Sequence, residues 1–314
     1  MVTLGKRLRR WLAFAGLTAL LVMTGCSREQ IPVLNPQGPV AQKQYDLIMW
    51  SIALMTIVIV AVFALFTYVL IKYRAKPENE GYNPPDQHGS RLLETIWTLI
   101  PVIIVIALAI PTVKVTYDLE KPPSQHKEPV TIKVTSANWK WIFRYPEEGI
   151  STVNYVNIPA DVPVKFELDA VGPMNSFWVP ELGGQEYTMP DMEMAMWLEA
   201  DKPGTYTGRS ASYSGEHFTH MTFNVNAQSE KDYEKWVNKV KKTAPKQSEA
   251  EFRKLLEPGR VPEMTFSSYP KNADEIEVEK NREDGLDRYE NRQGGHHEHQ
   301  EHTGHMNHEG HQSH

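Results

Sequence analysis

A chain of 314 residues with a formal net charge of −6 has room for membrane segments and one domain of ordinary size. So mild a charge argues against a nucleic-acid partner. A single cysteine, Cys26, excludes an intrachain disulfide, so the fold must hold by packing alone.

Lys6, Arg7, Arg9 and Arg10 form a basic start, followed by the apolar run Trp11 to Val22, short for a bilayer span. The run ends in Met23-Thr24-Gly25-Cys26, which resembles a bacterial lipobox, with Met23 where that motif usually has Leu. Residues 1–25 therefore read as a lipoprotein-type signal and Cys26 as the lipidation site. The alternative is a plain signal anchor with an incidental cysteine. Residues 26–44 are then an outer-surface segment. Leu47 to Ile71 and Thr95 to Val113 carry no charge and are long enough to cross a bilayer, which predicts membrane helices over 45–72 and 92–115. Pro101 and Pro111 fall in the second, where neighbouring groups can re-satisfy the freed backbone. Between the helices, 73–91 is a short loop flanked or occupied by Lys72, Arg74, Lys76 and Arg91, which marks it as cytoplasmic. Lipidation of Cys26 would happen outside, so the chain beyond about Val115 is expected on the outer face of the cell membrane.

Residues 125–227 read as an antiparallel β-sandwich. Val130, Ile132 and Val134 alternate with polar residues, as do Val162, Val164, Phe166 and Leu168, and again Met221, Phe223 and Val225. Pro, Gly and Asn clusters bound these runs. Ser229 with an acidic first turn, and then Glu249 to Leu256, predict a helical extension over 228–257. From 258 to 314 the chain is charged and finally His-rich, and is expected to be disordered. The stretch from His296 to His314 holds eight of the 12 histidines, spaced for loose metal binding without fixed geometry.

Three clusters have competing readings. Asn138-Trp139-Lys140-Trp141-Ile142-Phe143 places Trp139 and Trp141 on one strand face, for packing inside the domain or against a larger partner. Asp191, Glu193, Glu199 and Asp201 read as an ordinary solvated edge, and His217 and His220 as surface histidines. The stretch around those two histidines carries most about function. Gly208 to Met221 reads Gly-Arg-Ser-Ala-Ser-Tyr-Ser-Gly-Glu-His-Phe-Thr-His-Met. It resembles the copper loop of subunit II of haem–copper oxidases, in which two Cys, two His, a Met and a main-chain carbonyl hold a dinuclear copper. Aligned on Ser214-Gly215 and Met221, the Cys positions are Ser210 and Ser214, and the loop His position is Phe218. The earlier His falls at Asn175, the carbonyl at Ser212, and only Met221 is retained. A serine hydroxyl is a hard ligand that does not ionise near neutral pH and cannot replace a bridging thiolate.

With Trp139-Lys140-Trp141 and Met174-Asn175-Ser176-Phe177, the stretch from about Leu34 to Leu256 resembles subunit II of the quinol-oxidising branch of that family. The resemblance implies a membrane-anchored, all-β protein: two transmembrane helices, a cupredoxin-like sandwich, short helices and a disordered tail. It implies no cofactor in this chain and no catalytic residue. Haem and copper would belong to a large partner, subunit I, which would also receive the quinol. Smaller membrane subunits and the lipid bilayer are the other expected partners, and cytochrome c is not one. The alternative is a lipid-anchored β-domain that binds metal through its His-rich tail.

Overall fold

The computed structural model describes residues 31–74, 81, 89–190 and 192–298. Cys26, most of the loop 73–91, Asp191 and the residues after 298 lie outside the described residues. The chain divides into two units, one of residues 1–115 with 180–182 and the other of 116–179 with 183–314.

The first unit is built on helices α1 (Pro39–Lys72) and α2, which runs Arg91–Leu119. Gly38 precedes Pro39, whose fixed φ and missing N–H suit the first helical position. At 1.5 Å per residue the helices are roughly 51 and 44 Å long, more than the hydrocarbon core requires. Both are apolar enough to cross a membrane. Pro111 lies inside α2 and has no N–H to give to the carbonyl one turn back, that of Ala107. The indole N–H of Trp50 on α1 donates to that carbonyl at 3.1 Å. The neighbouring helix thus supplies the hydrogen bond that the proline removes.

The second unit holds two sheets. Strands β1 (Val130–Ala137), β2 (Lys140–Tyr145), β3 (Ile150–Val153), β5 (Val164–Val171), β8 (Met194–Leu198) and β11 (Met264–Phe266) form a six-stranded sheet, ordered β11-β3-β2-β1-β5-β8. Strands β4 (Tyr155–Pro159), β6 (Asn175–Trp178), β7 (Gln185–Thr188), β9 (Gly204–Ser210) and β10 (Thr222–Gln228) form the other, ordered β4-β10-β9-β6-β7. The order of elements is the one expected: two long apolar helices, a β-sandwich, then short helices. The sandwich is not wholly antiparallel, because β1 pairs with β5 and β4 with β10 in parallel. Period-two alternation reports which face is buried and carries no information about strand direction.

Between the sheets, Trp141, Phe143, Phe166, Phe177 and Phe223 form one aromatic cluster. Phe177 and Phe223 stack at 4.9 Å, and Trp141 meets each of them edge-on at 5.4 Å. Gly208 is required beneath it, since a Cβ there would lie 2.1 Å from the Phe223 ring.

Helices α3 (Glu230–Thr243) and α4 (Glu249–Leu256) follow the sandwich. Each starts at a serine that accepts from the third residue on, Ser229 from Asp232 and Ser248 from Glu251. The chain after 258, where the sequence reading set a disordered tail, instead adds strand β11 and helix α5 (Ala273–Glu298). Ala273 and Ile276 of α5 join Phe252, Leu255 and Leu256 of α4 and Phe266 of β11 over Ala137, Ile142 and Val153. The six-stranded sheet is therefore covered on both faces, and all six residues of β2 are buried.

That second cover changes the reading of the aromatic segment. Trp141 enters the sandwich core, whereas Trp139 lies before β2, against Gly215 and edge-on to His217 at 4.9 Å. Lys140 is 1% exposed, and its ammonium donates to the carbonyls of Leu255 at 3.0 Å and Glu257 at 2.5 Å. A cation there satisfies the free carbonyls at the end of α4. Burial lowers the Lys140 pKa to about 8, and the Glu257 carboxylate pulls the other way.

Candidate functional site

Asn175 opens β6, Ser210 ends β9, and the β6–β9 register places Phe177 opposite Ser210. The loop from Ala211 to Met221 closes on itself. The N–H of Ser210 donates to the Met221 carbonyl at 2.9 Å, and Phe218–His220 makes a single 3-10 turn.

Asn175 is fully buried and its amide is used at both ends. Nδ2 donates to the Pro173 carbonyl at 3.1 Å and, more weakly, to Ser136 Oγ at 3.5 Å. Oδ1 accepts from Ser210 Oγ at 3.3 Å, and the same hydroxyl lies 3.2 Å from the Ser212 carbonyl. Ser212 Oγ is 2.5 Å from Ser176 Oγ. Beneath them, Ser136 Oγ lies 2.6 Å from Thr188 Oγ1, which donates to the Asn175 carbonyl at 3.2 Å. Asn175, Ser210 and Ser212 are thus one hydrogen-bonded group.

The other aligned positions are held by different neighbours. The Ser214 carbonyl accepts from Trp139 Nε1 at 3.0 Å and Asn138 Nδ2 at 3.3 Å. Its hydroxyl is buried with no hydrogen-bond partner among the described residues. Phe218 is half-buried and meets Tyr213 edge-on at 5.0 Å. Met221 is 1% exposed, and its carbonyl also accepts from Trp141 Nε1 at 3.3 Å.

The donor set does not fit a dinuclear copper centre. Neutral hydroxyls and an amide stand where thiolates and an imidazole are needed, and Asn175 and Ser210 are already each other's partners. Sequence reading missed Ser136, Ser176 and Thr188, which support Asn175 and Ser212. Ser136 and Thr188 come from strands far apart in the chain, so no local spacing marks them.

The family model of the cytochrome c oxidase subunit II transmembrane domain matches residues 29–115. Such a two-helix anchor ahead of a β-sandwich defines a class, the membrane-anchored second subunit of a respiratory oxidase. Quinol oxidase subunit 2 of Bacillus cereus is 61% identical over 255 residues, covering 81% of this chain and 87% of that protein. Its counterpart from Bacillus subtilis is 47% identical over 272 residues, covering 85% and 84%. This chain belongs to the quinol oxidase subunit 2 family, and is a membrane protein with two spanning helices. Among solved structures, the periplasmic domain of subunit II of cytochrome oxidase from Bradyrhizobium japonicum is similar at 21% identity. The TM-score is 0.35, over 36% of this chain and 94% of that one.

Proposed function

We propose that this chain is the metal-free subunit II of a terminal oxidase that oxidises membrane quinol and reduces O₂ to water with proton translocation. It assembles with a large subunit, which carries the haems and catalytic copper and receives the quinol, and with smaller membrane subunits. Its own role is structural, so no residue here is catalytic. The observation that carries this reading is the Asn175–Ser210–Ser212 group, in which polar side chains satisfy one another at the positions aligned with copper ligands. An electron arriving from cytochrome c would find no acceptor in such a loop. Cys26 carries the lipid, two or more acyl chains reinforcing the helical anchor, and the sandwich faces outward.

The test is purification of the solubilised chain with whatever accompanies it. A co-purifying haem-bearing membrane subunit, without a mixed-valence copper signal in electron paramagnetic resonance, is expected. A thiolate–copper absorption band, or the absence of any haem-bearing partner, would falsify it. Mass spectrometry of the intact chain is expected to show residues 1–25 lost and diacylglycerol mass on Cys26, and an unmodified Cys26 would remove the lipoprotein reading. The inherited geometry has its own probe: Asn175→His, Ser210→Cys, Ser214→Cys and Phe218→His together. These changes, with Met221 and the Ser212 carbonyl, are expected to create a mixed-valence copper centre. A folded quadruple variant that binds copper only as isolated ions would count against a cupredoxin lineage.

A further inference from the structure

Glu199 was expected on a solvated edge, yet it is 3% exposed. One carboxylate oxygen accepts from Ser124 Oγ at 2.7 Å, and no cation pairs with it among the described residues. A buried carboxylate with a single neutral donor is costly unless a positive charge stands beside it. His126 and Asp161 stand there. One imidazole nitrogen and one oxygen from each carboxylate all lie within 4.8 Å of one another.

Three separate segments bring these groups together: the chain before β1 (His126), the turn between β4 and β5 (Asp161), and the end of β8 (Glu199). Asp161 is held in the left-handed region at φ 58°, with its N–H donating to the Ala200 carbonyl at 2.8 Å. Its two carboxylate oxygens have different neighbours. Oδ2 faces Lys127 Nζ at 3.3 Å, while Oδ1 lies 3.4 Å from His126 Nε2. The same nitrogen is 3.3 Å from the Asp161 carbonyl. Lys127 therefore occupies one oxygen and leaves the other turned to the imidazole. Ser124 orients Glu199 in a similar way. Outer partners of this kind fix ligands around a metal.

We propose that His126, Asp161 and Glu199 form a binding site for a divalent transition ion of the zinc class. One imidazole and two carboxylates, with water completing the shell, suit that ion. Ligand atoms about 2.0–2.2 Å from zinc lie roughly 3.4 Å apart in a tetrahedron. Since His126 and Asp161 are both exposed, small side-chain rotations close the set. The site shares no residue with the degenerate copper loop, and it stands whether or not the oxidase reading does.

The experiment uses the full chain in detergent, with the eight histidines from His296 to His314 replaced by Gln so that the tail does not compete. Zinc is titrated against a chelator of known affinity, and the bound ion is examined by X-ray absorption. A single tight equivalent is expected, coordinated by one imidazole with oxygen completing the shell. His126→Ala and Asp161→Asn should each weaken it by about 100-fold or more. Both positions are exposed, and Asn tolerates the left-handed conformation, so both variants should fold. No retained zinc, several imidazoles at the bound ion, or an affinity that neither substitution changes would overturn the proposal.

Discussion

Two polar networks in the second unit solve the same problem with different chemistry. On the outer face of the six-stranded sheet, Arg144 of β2 donates to Asp274 at 2.6 Å and to Glu277 at 2.7 Å, both on helix α5. Thr135 bridges the group, 2.6 Å from Glu277 and 3.1 Å from Arg144, and Lys133 reaches Asp274 at 2.7 Å. At the copper-loop end, Asn175, Ser210 and Ser212 carry no charge at all. The ionic network fastens a C-terminal helix to the sheet, since its charges are satisfied only when α5 is seated. The neutral network fastens a loop between two strand ends and leaves no charge that would call for a cation. The buried amide of Asn175 supplies several of its hydrogen bonds from one residue.

The comparison breaks most readily at Arg144. Arg144→Met leaves Glu277 buried without its cation, and should destabilise the second unit by about 3–5 kcal/mol. Thermal unfolding of the full chain in detergent measures this. Arg144→Met with Glu277→Leu should recover much of the loss, because no charge is then left unpaired. If the single and double variants are equally destabilised, packing rather than charge holds α5.

The ionic network should also respond to pH, and the neutral one should not. Burial raises the Glu277 carboxyl from 4.5 to about 7, against the opposing pull of Arg144 and Thr135. Arg144 offsets only part of the cost of burying the Glu277 charge, so a folded-state pKa above the unfolded value gives stability that is complete below pH 4.5 and is lost as pH rises through 7. The melting temperature should fall over that window, and Glu277→Gln should flatten the slope. An unchanged slope in Glu277→Gln would assign the pH dependence to another group.

These networks differ in how far the sequence reveals them. The sandwich is legible because Ile132 and Val134, and Phe223 and Val225, alternate with residues on the other face. The extension helices are legible because Ser229 and Ser248 are capping residues ahead of acidic first turns. Helix α5 is hidden: its sequence is charged and poor in apolar residues, yet Ala273, Ile276 and Glu277 are buried against the sheet side of the molecule. A composition that reads as disordered becomes ordered when its charges meet complementary charges on a sheet. Similarly, the burial of Lys140 and Arg144 is not legible, because nothing local announces the second layer above β2. The copper-loop positions are located by resemblance, whereas the hydroxyls that support them come from distant strands. Glu199 was misread for the same reason, since its burial is a tertiary fact.

Asn175→Ala should cost about 1–3 kcal/mol, because the Ser210 hydroxyl loses an acceptor and the Pro173 carbonyl a donor within a buried site. This is smaller than the Arg144 effect because no charge is stranded. A loss equal to that of Arg144→Met would mean that the loop end carries as much of the fold as the ionic face.

The smallest effect separates the two serines at the aligned cysteine positions. Ser210 Oγ has two acceptors within 3.3 Å, so Ser210→Ala should cost about 1 kcal/mol. Ser214 Oγ is buried with no partner among the described residues, so its hydroxyl is desolvated without return. Ser214→Ala should therefore be neutral or stabilising by a few tenths of a kcal/mol, since it removes an unsatisfied polar atom and keeps the Ser214 carbonyl bonds to Trp139 and Asn138. Melting temperatures of the two single variants and the double variant decide the matter. Equal losses at both positions would show that Ser214 has a hydrogen-bond partner in solution, and the neutral network would then extend across the whole loop. If Ser210→Ala alone is costly, the hydrogen bonds that hold the loop are concentrated on the Asn175 side, and Ser214 is kept in place by its main chain.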